Sequence, residues 1–296
     1  MKILLVFNPH AANGRVGSLL PGVLAAFSEA GVEVDLRSTV GPGHATRLVA
    51  EAAFDDCDGV VAAGGDGTLF EVLNGYYLNR SPRRVPLGVL PVGTGNAFAR
   101  DLDVASEKWR EAVAVIAVSR TRKFDVGRFT VEGRTLYYLN ILGVGFVADV
   151  VDSASRMKIL GNVSYTIGVL LRTIALKSYH VRIEADGTVV EGENIFTEIS
   201  NTRWTSNFLM APEASIEDGF LDVTMLGRMS RRRLLSCFPL IFTGAHVTLP
   251  EVRTFKARSI RISTDAPKVL TPDGELVGAT PVHIECLPRD VEVFSR

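Results

Sequence analysis

The sequence predicts an α/β amino-terminal nucleotide-binding domain with an open, mostly parallel sheet, followed by a β-rich, sandwich-like domain. Three observations carry this. Apolar runs alternate with helix-periodic segments up to about residue 118. Glycine-rich loops fall at the carboxyl ends of the predicted strands. Beyond about residue 122 the pattern changes to alternating strands with turn signals.

Residues 2–7 read as a buried strand ending at Asn8-Pro9. Residues 15–29 carry Leu19, Leu20, Val23, Leu24 and Phe27 at nearly helical spacing, and Gly31 stops the helix. A strand at 32–38, a helix to about 54, a strand at 58–63, a helix at 68–78, a strand at 86–90 and a helix near 106–118 follow. In the second part, Asp186-Gly187 marks a hairpin turn. Strands are expected at 193–200, 220–226, 257–263 and 281–294, with helices at 161–177 and 230–244. The expected domains are 1–122 and 123–296, the last strands returning toward the first domain.

A chain of 296 residues, 47% hydrophobic and 22% charged, can build sizeable cores as a soluble globular protein. A net charge of −1 gives no field favouring nucleic acid. Cys57, Cys237 and Cys286 are far apart, which fits a reducing, cytoplasmic setting. No run of about 18 apolar residues is present to span a membrane.

The stretch VAAGGDGTLFEVLNG, Val61 to Gly75, places one carboxylate among glycines where a strand meets a helix. The first strand lacks the dinucleotide fingerprint GxGxxG, and GxxxxGK[ST] is absent. Gly14, Arg15, the 64–68 cluster and Gly93 to Asn96 nevertheless supply amides and one cation suited to a polyphosphate. Asp66 then either holds Mg²⁺ or takes a proton from an attacking hydroxyl. Glu71 fits either the site or a capping box with Thr68.

GGDGTLFEVLNG and PVGTGNAFAR resemble the signature loops of the diacylglycerol kinase catalytic domain family, which includes bacterial lipid kinases, sphingosine kinases and ceramide kinases. EDGFLDVTML (217–226) and PDGE (272–275) resemble its two carboxyl-terminal motifs. The resemblance implies ATP and Mg²⁺ as cofactors, with the site in a cleft between the two domains. It places Asn8, Arg15, Gly65, Gly67, Thr68, Gly93, Thr94, Gly95 and Asn96 around the nucleotide. Asp66, Asp273 and Glu275 become catalytic candidates, with the general base either Asp66 or Asp273, and alanine at either is expected to stop turnover without unfolding. Asp125 would help organise metal and water, and Asp218, with carbonyls near Ser215 and Phe220, would bind a structural Mg²⁺. Two positions depart from the pattern. Ala97 stands where many members carry aspartate; sphingosine kinases resemble this chain there, with a small apolar residue. Ala12 stands where glycine is frequent, and fits if its φ is negative.

The apolar segments 162–176 and 234–243, the second preceded by Arg231, Arg232 and Arg233, suit either core packing or docking of a peripheral enzyme on a lipid substrate's membrane surface. His246 is expected at the surface. A lid edge strand pairing with a second copy would give a homodimer. The leading expectation is an ATP-dependent lipid kinase acting on diacylglycerol or a related lipid. The alternatives are a sphingoid-base or ceramide kinase, an NAD kinase, and a non-catalytic lipid- or nucleotide-binding regulator.

Overall fold

Four apolar runs form parallel strands, β1 (Lys2–Phe7), β2 (Glu33–Ser38), β3 (Gly59–Gly64) and β4 (Leu87–Pro91), in the order β4-β3-β1-β2. The helices between and after them are α1 (Leu20–Glu29), α2 (His44–Ala50), α3 (Asp66–Leu78), α4 (Ala97–Asp101) and α5 (Trp109–Val118). The computed structural model describes residues 1–104, 108–145 and 178–296. It divides into one unit of Met1–Phe124 with Arg289–Arg296 and another of Asp125–Pro288.

Alternation along β1 sends Ile3, Leu5 and Phe7 to one face, where they pack with Val23 and Phe27 of α1 and Val113 and Ile116 of α5. Helices α2 and α3 pack together through Gly75, where a Cβ would strike the Thr46 carbonyl and Val49. The long first helix expected over 15–29 is divided. Ala11–Leu19 is a 3₁₀ segment containing Gly14 and Gly17, and the α-helix starts at Leu20 with Pro21 in its first turn.

The second unit is largely antiparallel. Its strands are β5 (Thr121–Val131, begun in the first unit), β6 (Arg134–Tyr138), β7 (Ile141–Gly145), β8 (Tyr179–Ala185), β9 (Thr188–Ser200), the short pair β10 (Trp204–Thr205) and β11 (Phe208–Leu209), then β12 (Leu221–Gly227). Helix α6 (Arg231–Cys237) precedes β13 (Val252–Ala257), β14 (Ser259–Thr264), β15 (Leu270–Pro272) and β16 (Val282–Phe294). The main order is β13-β12-β9-β8-β14-β16, and β7 pairs with β9 and β15. The β8–β9 hairpin turns at Asp186 (φ 46) and Gly187 (φ 83), and the Asp186 carboxylate accepts the Arg258 and Ser259 N–H groups, both at 2.9 Å. Strand β16 begins beside β14 and ends parallel to β4 at Val293–Leu87.

The helix expected over 230–244 stops at Cys237 and continues as a 3₁₀ turn, Phe238–Phe242, because Pro239 cannot donate the next helical hydrogen bond. The helix expected over 161–177 lies outside the described residues. His246 is buried rather than at the surface. Its Nε2 lies 3.0 Å from the Met210 carbonyl, and burial lowers its pKa.

Glu71 corrects another expectation. Helix α3 begins at Asp66, so Glu71 sits beyond its first turn and cannot close a capping box there. Its carboxylate instead serves α2, accepting the Gly43 N–H at 2.7 Å and the Ala45 N–H at 3.0 Å. A carboxylate at a helix start satisfies orphan donors and complements the helix dipole. Glu71→Ala is therefore expected to cost about 1–2 kcal/mol, and Glu71→Gln less. An unchanged urea midpoint for Glu71→Ala would contradict this role.

Candidate active site

In the first unit, three loops at the carboxyl ends of β1, β3 and β4 are tied together. Beyond β1, the Asn8 N–H bonds the Ala63 carbonyl at 2.9 Å. Asn8 Nδ2 donates to Thr68 Oγ1 at 3.0 Å, and Oδ1 accepts the His10 N–H at 3.0 Å. The Gly64 carbonyl accepts the N–H groups of Val92 at 3.2 Å and Gly93 at 2.9 Å. A Cβ on Gly93 would overlap the Gly65 backbone, so glycine at 93 lets the two loops touch main chain to main chain. Asn96 is buried in the left-handed conformation (φ 54), and its Nδ2 donates to the Gly93 carbonyl at 2.8 Å.

Asp66 joins this loop pair from the start of α3. Its Oδ1 accepts the Ala97 N–H at 2.8 Å, at the start of α4. Only the main chain of residue 97 is needed for this bond, and the Ala97 side chain is buried. Asp66 keeps some accessible area, yet surrounding protein desolvates its carboxyl and pushes the pKa up to about 6, against the opposing pull of the Ala97, Asn96 and Phe98 amides and of Arg100. The folded state therefore favours the protonated acid. That contribution to stability is complete below the ordinary carboxyl pKa near 4 and is lost as pH rises through about 6.

The structure thus gathers Asn8, Gly65, Asp66, Gly67, Thr68, Gly93, Thr94, Gly95 and Asn96 into one loop cluster. Arg15 is exposed in the 3₁₀ segment and forms no ion pair among the described residues. Ala12 has φ 48, so the condition under which alanine fits without strain is not met. A non-glycine residue there carries strain on the order of 1 kcal/mol.

In the second unit the acidic candidates hold backbone. Asp125 is fully buried. Its Oδ2 accepts the Gly219 N–H at 2.6 Å, and its own N–H bonds the Ile216 carbonyl at 2.8 Å, which anchors the 215–220 loop. Asp125 thus fastens that loop. Asp273 is buried at φ 47. Its carboxylate accepts three N–H groups, those of Leu139 at 3.2 Å and of Asn140 and Ile141 at 3.0 Å each. Loss of these acceptors bears on folding, contrary to the expectation that alanine leaves the fold intact. Glu275 is exposed in the same turn.

Asp218 has both oxygens engaged. Oδ1 accepts the Phe220 N–H at 3.0 Å, and Oδ2 lies 2.6 Å from Lys256 Nζ. Lys256 also donates to the Glu213 carbonyl at 3.0 Å and lies 3.5 Å from Asp222 Oδ2. An ammonium thus pairs with Asp218, the carboxylate expected to hold Mg²⁺ together with carbonyls near Ser215 and Phe220. The reason is register: Lys256 lies directly opposite Asp222 on paired strands. Among the described residues no group of three or more His, Cys, Asp or Glu is arranged to hold a metal.

Sequence reasoning passed over Lys256 and also Glu198, a buried acid on β9. Glu198 Oε1 accepts Thr205 Oγ1 at 2.6 Å and Ser200 Oγ at 3.2 Å, and burial pushes its pKa up to about 7. The available signal was a lone acid within the apolar strand FTEIS.

Comparison with known proteins agrees with this architecture. Residues 2–129 match the diacylglycerol kinase catalytic domain, and residues 140–295 match the YegS C-terminal NAD kinase beta sandwich-like domain. The chain is 31% identical to a diacylglycerol kinase of Bacillus subtilis over 98% of this chain and 94% of that one. It is also 31% identical to a diacylglycerol kinase of Mycobacterium tuberculosis, over 99% and 94%. A crystal structure of a diacylglycerol kinase from Bacillus anthracis superposes with a TM-score of 0.81 at 26% identity, covering 100% of this chain and 97% of that one. With both domain models matched in order along a chain whose glycine loops are built as described, the protein belongs to the bacterial lipid kinase family defined by the diacylglycerol kinase catalytic domain and the YegS-type C-terminal domain.

Proposed function

We propose that the protein transfers the γ-phosphate of ATP to the hydroxyl of diacylglycerol. One observation carries the reading: two glycine loops locked together by Asp66, whose proton affinity is raised toward neutral pH. Phosphoryl transfer needs a positioned triphosphate and a group that orients the acceptor hydroxyl. The loop amides and Arg15 suit the phosphates. A base with a pKa near 6 is better matched to a hydroxyl at neutral pH than an ordinary aspartate. We therefore favour Asp66 over Asp273, which is committed to three backbone N–H groups. Mg²⁺ would arrive on the nucleotide, since this ion is commonly held by one or two carboxylates together with phosphate oxygens. It would screen the phosphate charge.

Diacylglycerol is favoured by the names of the relatives. A sphingoid base is the second reading, favoured by the small buried Ala97. The reading places the enzyme at the cytoplasmic membrane surface. Among the described residues no helix is long and apolar enough to cross a membrane.

The test is transfer of labelled γ-phosphate into a panel of diacylglycerol, sphingosine, ceramide, phosphatidylglycerol and NAD. Label in diacylglycerol is expected. Label in NAD alone would overturn the lipid reading. Asp66→Asn is expected to lower kcat by about 10²–10⁴-fold, the usual contribution of a general base, with the melting temperature preserved. Near-normal turnover would remove Asp66 from the chemistry. Asp273→Ala is expected to lose stability by at least about 2 kcal/mol, because it orphans buried donors. An unchanged denaturation midpoint would contradict its role as a fastener.

A further inference from the structure

The segment from Arg228 to Pro250 contains four arginines and no Asp or Glu. Arg233 is engaged, its Nε 3.1 Å from Glu251 Oε1. Arg228, Arg231 and Arg232 are exposed and form no ion pair among the described residues. Arg231 and Arg232 open helix α6, whose start is fixed by Ser230 Oγ accepting the Arg233 N–H at 3.2 Å. A helix start disfavours cations, because the dipole is positive there. The charge of these arginines therefore draws no support from their own seven-residue helix.

The same short segment exposes apolar surface. Leu235 is 44% and Phe242 45% accessible. Phe242 is not a loose side chain. Its ring meets Phe208 edge-on at 5.1 Å and Phe238 at 5.9 Å, and those two meet at 5.8 Å. This aromatic cluster holds the ring in place at the surface. Pro239 ends α6 and sends the chain into the 3₁₀ turn that carries Phe242.

We propose that α6 and the following 3₁₀ turn dock on an anionic bilayer surface. Arg231 and Arg232 meet lipid phosphates, and Leu235 and Phe242 enter the interfacial layer. Charge complementarity selects this occupant: the face combines unpaired cations with exposed apolar side chains, and no acid lies in the segment to suit a basic partner. The purpose of docking rests on the lipid kinase reading, but the docking itself is measurable without nucleotide or turnover.

Vesicle co-sedimentation of the full chain tests this, with vesicles of phosphatidylcholine alone and of equal parts phosphatidylcholine and phosphatidylglycerol. Wild type is expected to bind the mixed vesicles and not the neutral ones, with binding weakened by added salt. The double variant Arg231→Gln/Arg232→Gln is expected to bind roughly 30-fold more weakly, from about 1 kcal/mol per arginine near such a surface. Leu235→Ser/Phe242→Ser is expected to lose binding as well, and each variant should melt as wild type does. Equal binding by wild type and both variants would overturn the proposal, as would equal binding to neutral and anionic vesicles. A wild-type dimer in light scattering that Phe242→Ser dissociates would assign the face to a second copy and also overturn it. If wild type docks as expected yet labels no lipid, the docking stands and the kinase reading fails.

Discussion

The hydrogen bond from the Ala97 amide to the Asp66 carboxylate, 2.8 Å long, is the contact on which the polar end of the first unit depends. Asp66 opens α3 just past the loop after β3, and Ala97 opens α4 just past the loop after β4. The Gly64 carbonyl joins the same two loops from the main-chain side. Glycine at 93 allows the close approach, because a Cβ there would overlap the Gly65 backbone. Asn8 then attaches the end of β1 through Thr68. A carboxylate and a few amides thus tie three separate strand ends together. The acid is held in a desolvated place, and that cost raises its proton affinity.

The same device recurs elsewhere in both units. Glu71 caps a neighbouring helix, Asp125 fastens the 215–220 loop, Asp186 closes a hairpin against the next strand, and Asp273 receives three amides of the turn before β7. Each satisfies backbone donors that a turn or helix start leaves without partners. Lys256 plays the complementary part, bonding the Asp218 carboxylate and the Glu213 carbonyl with one ammonium and lying 3.5 Å from Asp222. Acids that look like metal ligands in the sequence are here largely occupied with holding the chain.

Much of the fold was legible in the sequence. The apolar runs of β1, β3 and β4 and the Asp186-Gly187 turn follow from side-chain period and turn chemistry, which are local. The boundaries of α1 and α6 were not, because Pro21 and Pro239 act on hydrogen bonds that a periodic apolar pattern does not reveal. The glycine loops were legible as a cluster because they fall at strand ends. The partners of Glu71, Asp218 and Asp273 were not, since each is reached across the fold or by strand register. His246 was misplaced for the same reason: its burial depends on Met210, distant in sequence.

The central claim is that desolvation holds the Asp66 carboxyl near neutral pH within the assembled loops. The direct measurement is the titration of that carboxyl by ¹³C NMR of the full chain, its resonance assigned by its loss in Asp66→Asn. The account predicts a titration midpoint near about 6. A midpoint at the ordinary aspartate value, near 4, would contradict it and leave Asp66 as a loop fastener alone.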